Sequence, residues 1–330
     1  MSFAISGYPD VLQSQLFQRT VTKNRVDLAT AAQELTTGNT TDVVGKLAGR
    51  ANEFNLVTKA LADIEAGQTR LQLTESRLRV AETALQSIRS RASELADRAE
   101  TDSLVEGGAG AVQTVATARS SLESVVNRLN ESYAGRFLFS GDDVGTPTLA
   151  SIDDINASFD AAFGGITDSA ALETAISDYF GPGGTFETTI YQGGTQNSSA
   201  VLLDSGTSIQ NQARGDDASL RNVVEGLARL IYQPEDGRLA WISNAVGTLR
   251  QGEIGTLNLE ADLGRQRQLV AEEIVANQEQ ESVLRNSREE LIGVDAFEAA
   301  SRVTRLEAQL EASYTIAARI SRLTFTDFIR

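Results

Sequence analysis

Apolar side chains return every seven residues at Val57, Ile64, Leu71, Leu78, Leu85, Ala92 and Ala99. Three residues after the first six of these stand Ala60, Gly67, Thr74, Ala81, Ile88 and Leu95. A seam kept over so many repeats predicts one long helix packed in a coiled coil or extended bundle. At the helical rise, about 46 residues reach roughly 70 Å, so a rod is expected. The glycines after Glu106 predict a turn, and Val112, Val115, Leu122, Val126, Leu129 and Tyr133 then mark one face of a second helix.

Later in the chain, Asp216 and Asp217 offer N-capping carboxylates to a helix carrying Leu220, Val223, Val224, Leu227 and Leu230, with Pro234 and Gly237 beyond its end. A further helical stretch starts near Leu239, with a break expected around Gly252–Gly255, and continues to about Glu290 with a more polar seam at Leu263, Val270, Asn277, Leu284 and Leu291. Both extremities carry the same periodicity. Phe17, Val21, Asn24, Leu28, Ala31 and Leu35 form one stripe; Ala296, Ala299, Val303, Leu306, Leu310, Ser313, Ala317 and Ile320 form the other. The two stripes can pair, but a lone helix or thin hairpin is marginal in water, so a further copy or a related protein is expected to cover them.

Between the helical flanks the composition changes. Residues 141–215 hold 11 glycines and ten acidic residues against a single basic one, Arg214. Thr185–Tyr191 and Ala200–Leu203 read as short strands, and Ser169–Tyr179 as a short helix. The expected fold is therefore mainly α: an elongated helical bundle or coiled coil built from both chain ends, with an inserted Gly-rich α+β domain. The expected division is an N-terminal assembly helix over 1–40, a long helical hairpin over 41–140, the acidic insert over 141–215, returning helices over 216–290 and a C-terminal assembly helix over 291–330.

Composition narrows the chemistry. The chain has 330 residues and a formal charge of −16, with 45 acidic and 29 basic side chains, no histidine and no cysteine. Without His or Cys there is no zinc site of the usual kind, no thiol nucleophile and no His-based triad. So acidic a chain is a poor binder of nucleic acid or anionic lipid. The pairs Asp142–Asp143, Asp153–Asp154 and Asp216–Asp217 lack the alternating ligands and closing glutamate of a calcium loop, and they read as caps or solvated turns. Gly181–Pro182–Gly183–Gly184 is followed by no Lys-Ser/Thr and reads as a turn rather than a phosphate loop. No enzyme activity and no cofactor or metal are expected. The N-terminus has neither a basic region nor a long apolar run, so a cleavable secretory signal is not expected, and no apolar stretch approaches the roughly 20 residues of a membrane span. Residues 1–35 carry three basic and three acidic groups and residues 291–330 five of each, so neutral ends flank an acidic middle and can stack without strong repulsion.

The C-terminal run from Gly293–Val294–Asp295–Ala296–Phe297 through Leu306–Glu307–Ala308–Gln309–Leu310 to Phe325–Thr326–Asp327–Phe328–Ile329 resembles the C-terminal signature of the flagellin family. Tyr133–Ala134–Gly135–Arg136–Phe137–Leu138–Phe139–Ser140–Gly141 resembles the segment preceding the insert in the hook–filament junction branch of that family. Tyr191–Gln192–Gly193–Gly194 with Gly215–Asp216–Asp217 is similar to a later insert motif. Leu35–Gly45 keeps the family's glycine turn and lacks the acidic motif that usually follows it.

The resemblance implies a structural protein of the bacterial flagellum, exported through the flagellar secretion apparatus and assembled outside the cell between hook and filament. Flagellin, the filament subunit, is the alternative. Implied partners are copies of the chain itself, a neighbouring hook-associated protein, flagellin and an export chaperone, with no nucleic acid and no membrane. The assembly interface is expected at Phe17, Val21, Leu28, Leu35, Val303, Leu306, Leu310, Tyr314, Ile320 and Leu323. A domain hinge is expected at Gly135, Arg136, Phe137, Phe139 and Gly141.

Overall fold

The computed structural model describes residues 8–103 and 108–328, with side chains described over 15–103 and 112–319. The chain is mainly α. Its elements are α1 (Tyr8–Thr37), α2 (Val43–Leu47), α3 (Ala51–Ser103), α4 (Gly108–Leu129), β1 (Ser132–Tyr133), β2 (Arg136–Phe137), α5 (Ile152–Phe163), α6 (Ser169–Phe180), a π-helical turn (Phe186–Ile190), β3 (Val201–Leu202), β4 (Ser208–Ile209), α7 (Ala218–Ile231), α8 (Arg238–Ile292) and α9 (Ala296–Phe328). Two compact units result: residues 67–276, and residues 1–66 with 277–330.

In the 67–276 unit the buried stripe of α3 begins narrow, with Leu71 and Leu78. From Ala81 it widens to include Ala84, Leu85, Ile88, Ala92, Leu95, Ala96 and Ala99. A broader stripe means more than one neighbour. Thr114 of α4 donates to Asp102 at 2.5 Å, and from α8 Arg267 reaches Glu75 and Glu82 at 3.1 and 2.6 Å while Glu260 accepts from Arg89 at 2.8 Å. The predicted apolar face of α7 lies wholly inside: Leu220, Val223, Val224, Leu227 and Leu230 are fully buried. Each contributes about 1.5–3 kcal/mol relative to exposure. Asp217 caps α7, accepting from the Ser219 amide at 2.8 Å, while Asp216 instead pairs with Arg214 at 2.7 Å.

The break expected at Gly252–Gly255 does not occur; α8 runs through it. Both glycines lie under α7. A β-carbon at Gly252 would stand 2.7 Å from Val223 Cγ2 and 2.9 Å from the Val223 nitrogen, and one at Gly255 would meet the Ser219 side chain. Close helix–helix approach, worth more than the lost helix propensity, explains glycine here. On α4 the inward residues include Thr114, Ala118, Leu122, Val125, Val126 and Leu129, whereas Val112 is exposed.

Residues 141–215 share one apolar core with these helices. Ser151 caps α5 and Asp168 caps α6, each accepting an amide of its own first turn. Between the helices Phe159, Phe163, Tyr179, Phe180 and Tyr232 make tilted, edge-to-face and, for Phe163 with Phe180, stacked contacts, with ring centroids from 5.0 to 6.5 Å apart. Ser169–Phe180 is helical as expected, and Val201–Leu202 pairs antiparallel with Ser208–Ile209. Thr185–Tyr191 is not a strand but holds the π-helical turn. Phe186 and Ile190 are buried while Thr188 is exposed. A strand would place all three on one face, whereas a helical turn brings only the pair spaced by four together.

Candidate assembly interface and domain junction

The first candidate is the terminal helix pair. Within the unit of residues 1–66 and 277–330, α1 and α9 pack on one another antiparallel. Arg25 Nε donates to the Tyr314 hydroxyl at 2.7 Å, and its guanidinium lies 5.4 Å from the centre of that ring. Nearer the corner Arg302 meets Glu34 at 3.0 Å. Inward positions follow the predicted stripes: Ala31, Ala299, Leu306 and Leu310 are buried, and Phe17, Val21, Leu28 and Val303 are half-buried. Other predicted positions are not enclosed. Leu35 is 39% exposed and Tyr314 45%, and the same helices also expose Leu16, Val26, Phe297 and Ile316. Ile320 and Leu323 lie outside the residues whose side chains are described.

The corner that joins these helices to the rest of their unit is tightly specified. Gly38, with φ +69°, follows the last turn of α1, and its amide donates to Glu34 O at 2.8 Å. Next to it the chain crosses the segment between α8 and α9. Thr40 N donates to Ile292 O and Val294 N to Gly38 O, both at 2.8 Å, around the Asn39–Gly293 bridge, and Lys46 Nζ also donates to Gly293 O. Glu34 fastens this crossing. Its carboxylate accepts from the Thr41 amide and hydroxyl, both at 3.0 Å, from the Thr40 hydroxyl at 3.3 Å and from Arg302 at 3.0 Å. The Thr41 amide bond, with these hydroxyls and the cation, holds the carboxyl below its usual pKa although burial opposes the shift. Beneath it Leu47, Leu291 and Ile292 form a small core with Val43, Phe54 and Val57. Asp295 caps α9, accepting from the Phe297 and Glu298 amides at 2.8 and 3.0 Å.

The second candidate lies in the other unit, around the residues expected as a hinge. β1 and β2 pair Ser132 with Phe137 and Tyr133 with Arg136. The two residues between them, Ala134 and Gly135, both have positive φ, at 50° and 73°, as a tight hairpin turn of this hand requires. Leu138 and Phe139 then enter the core. The three separate sequence segments that carry the family resemblance here meet. Gly194 N donates to Ser140 O at 2.9 Å, Asp142 N to Gln196 O at 2.9 Å and Gly215 N to Phe139 O at 2.8 Å. Ser140 Oγ lies 2.9 Å from Thr148 Oγ1, Tyr191 donates to Gly194 O at 2.8 Å, and Arg214 bonds Thr195 O at 2.6 Å while paired with Asp216. Burial, with the Asp216 carboxylate nearby, pushes the Tyr191 phenol up to about 12. Gly141 has φ +62°, and a β-carbon there would collide with Gln196 O. Gly135, Arg136 and Phe137 sit on the hairpin, while Phe139 and Gly141 belong to this hydrogen-bonded knot.

Sequence reasoning missed Glu34 and Arg302 as partners. Glu34 stands three residues after Ala31 on the inward stripe, and an acid on an apolar stripe is the available signal. Among the described residues no cluster of acidic side chains could hold a metal ion, and no helix is long and apolar enough to cross a membrane.

No family model and no curated protein matches the chain. Solved structures do. The crystal structure of Bacillus cereus FlgL aligns with 71% of this chain and 99% of its own, at 17% identity and a TM-score of 0.53. A Vibrio parahaemolyticus protein assigned as a flagellar hook-associated protein aligns with 73% of this chain and 96% of its own, at 12% identity and a TM-score of 0.53. The chain has their fold. Nearly the whole of each relative is matched, so the similarity is not confined to a few long helices.

Proposed function

We propose that this chain is a structural protein of the bacterial flagellum that joins the hook, through another hook-associated protein, to the flagellin filament. The observation that carries the reading is the antiparallel pairing of α1 with α9, both near neutral in charge, whose seam is closed on one side and leaves Leu16, Val26, Leu35, Tyr314 and Ile316 open. The likeness to FlgL and to a hook-associated protein supports it. In this reading residues 1–40 and 291–330 are assembly helices. Phe17, Val21, Leu28, Leu35, Val303, Leu306, Leu310, Tyr314, Ile320 and Leu323 close the seam or meet neighbouring subunits. The acidic 141–215 segment keeps the assembled surface solvated. Copies of the chain, the neighbouring hook-associated protein and flagellin are its partners, and an export chaperone guards the terminal stripes before secretion. The function is structural, without catalysis.

Electron microscopy of a deletion strain tests this. Hooks without filaments, with flagellin shed into the medium, are expected. Stunted filaments on an intact junction would make the chain a filament subunit, and normal motile filaments would remove it from both places.

A further inference from the structure

Seven arginines of the 67–276 unit are paired with a carboxylate: Arg89, Arg128, Arg214, Arg229, Arg250, Arg265 and Arg267. Arg77 on α3 and Arg136 on β2 instead stand together. They line one cavity of about 100 Å³. Among the described residues neither makes an ion pair, and Arg77 Nε is buried without a hydrogen-bond partner. The titratable groups acting on Arg77 are Arg136 and the Tyr133 phenol, with no carboxylate; burial first, and then the like charge of Arg136, lower its pKa.

Acids close in sequence are engaged elsewhere. Glu75 and Glu82 hold Arg267, Glu131 holds Arg128, Asp142 accepts from the Gln196 amide and Asp143 from the Thr146 hydroxyl. The polar wall is engaged too. Thr74 donates to Arg70 O, Ser198 to Asn211 O and Asn211 to Leu138 O. The remaining wall is largely apolar, with Leu78, Phe137, Val201 and Ile209. Two like charges held at one cavity, one with an orphaned buried donor, are costly unless an anion joins them. Apolar walls beside the guanidinium groups suit an anion carried on a short hydrocarbon stem better than a bare inorganic ion, which keeps its hydration.

We propose that Arg77 and Arg136 form a binding site for a carboxylate on a short aliphatic stem. Such a group is presented either by a glutamate side chain of a second copy of this chain or by a small free carboxylic acid. Occupation satisfies the stranded Arg77 donor and relieves the repulsion between the two cations.

The test uses the ¹⁵N-labelled full-length chain titrated with sodium butyrate at constant ionic strength, with sodium chloride and sodium phosphate as controls. The arginine Nε–Hε resonances are followed, those of Arg77 and Arg136 being identified by their loss in R77Q and R136Q. Both should shift saturably with butyrate, and the affinity should fall at least about tenfold in R136Q when read at Arg77. R136Q also removes the repulsion, so its thermal midpoint in chloride should equal or exceed that of the parent. Should R136Q fail to fold, R77Q read at Arg136 gives the same comparison. A shift that grows linearly as in chloride, tighter binding of phosphate than of butyrate, or a saturable shift unchanged in the single variants would overturn the site.

Sedimentation velocity identifies the source once binding is seen. If saturating butyrate weakens self-association relative to matched chloride, the native occupant is a second copy's glutamate; if self-association is unmoved, it is a free acid. The titration needs no assembly, so its result stands apart from that of the deletion strain.

Discussion

Gly141 is fixed by two independent demands, a left-handed backbone and the absence of a β-carbon beside Gln196 O. Alanine there adds strain and a backbone collision together, and Gly141→Ala should lower unfolding stability by about 1–3 kcal/mol in urea titration. Gly135, whose β-carbon would meet open space, should tolerate the same change better. Glu34 provides a residue-scale switch of known sign. Its folded pKa is depressed, so the stabilisation of the Thr40–Thr41 crossing is fully present above the ordinary carboxylate value and is lost as pH falls through the depressed one. The protection factor of the Thr41 amide, corrected for intrinsic exchange, should therefore hold down to the ordinary carboxylate value and drop only as pH falls below it, while amides in α7 keep theirs. Glu34→Gln should remove that pH dependence. An unchanged Thr41 profile in the variant would mean that another group supplies it.

Helices are where periodicity spoke most clearly, and their exceptions have physical causes. The α3 seam is legible because one face stays buried over many turns, and Leu71, Leu78, Leu85, Ala92 and Ala99 all lie inside. The widening from Ala81 onward adds alanines, whose mild hydrophobicity marks a face weakly in sequence. Gly252 and Gly255 read as a break because glycine is a poor helix former; only the position of α7 explains their place inside a helix. Phe186 and Ile190 fit a strand and a helical turn equally, and burial of the pair with exposure of Thr188 decides between them. For the terminal pair the element-scale expectation concerns Leu306 and Leu310, both buried on the inward face of α9. Replacing both by alanine should cost about 2 kcal/mol each in the pairing and abolish self-assembly. Hydrogen exchange should accelerate in α1 as well as in α9 while the 67–276 unit keeps its protection.

For the molecule as a whole, the helical class was open to reading because long heptads leave few alternatives, and fold similarity to two flagellar proteins at 17% and 12% identity agrees with it. The detailed candidate sites were not. The knot around Phe139–Gly141 depends on hydrogen bonds between segments more than 50 residues apart, which no local pattern encodes. Residues 141–215 looked separable by composition, yet their aromatics belong to the same apolar core as α4 and α7. Charge, by contrast, was available at once: nine of the 16 net negative charges fall within that segment, ten acids less one arginine.

The antiparallel lie of α1 along α9 has a consequence for how the chain is dismantled. Each helix supplies the other's apolar shelter, so a cut that releases one leaves its companion single, and a single helix of this length is poorly held in water. Limited digestion followed by intact-mass measurement should therefore yield a remnant trimmed at both extremities. Species shortened at one extremity alone should stay scarce throughout the time course, whichever is clipped first.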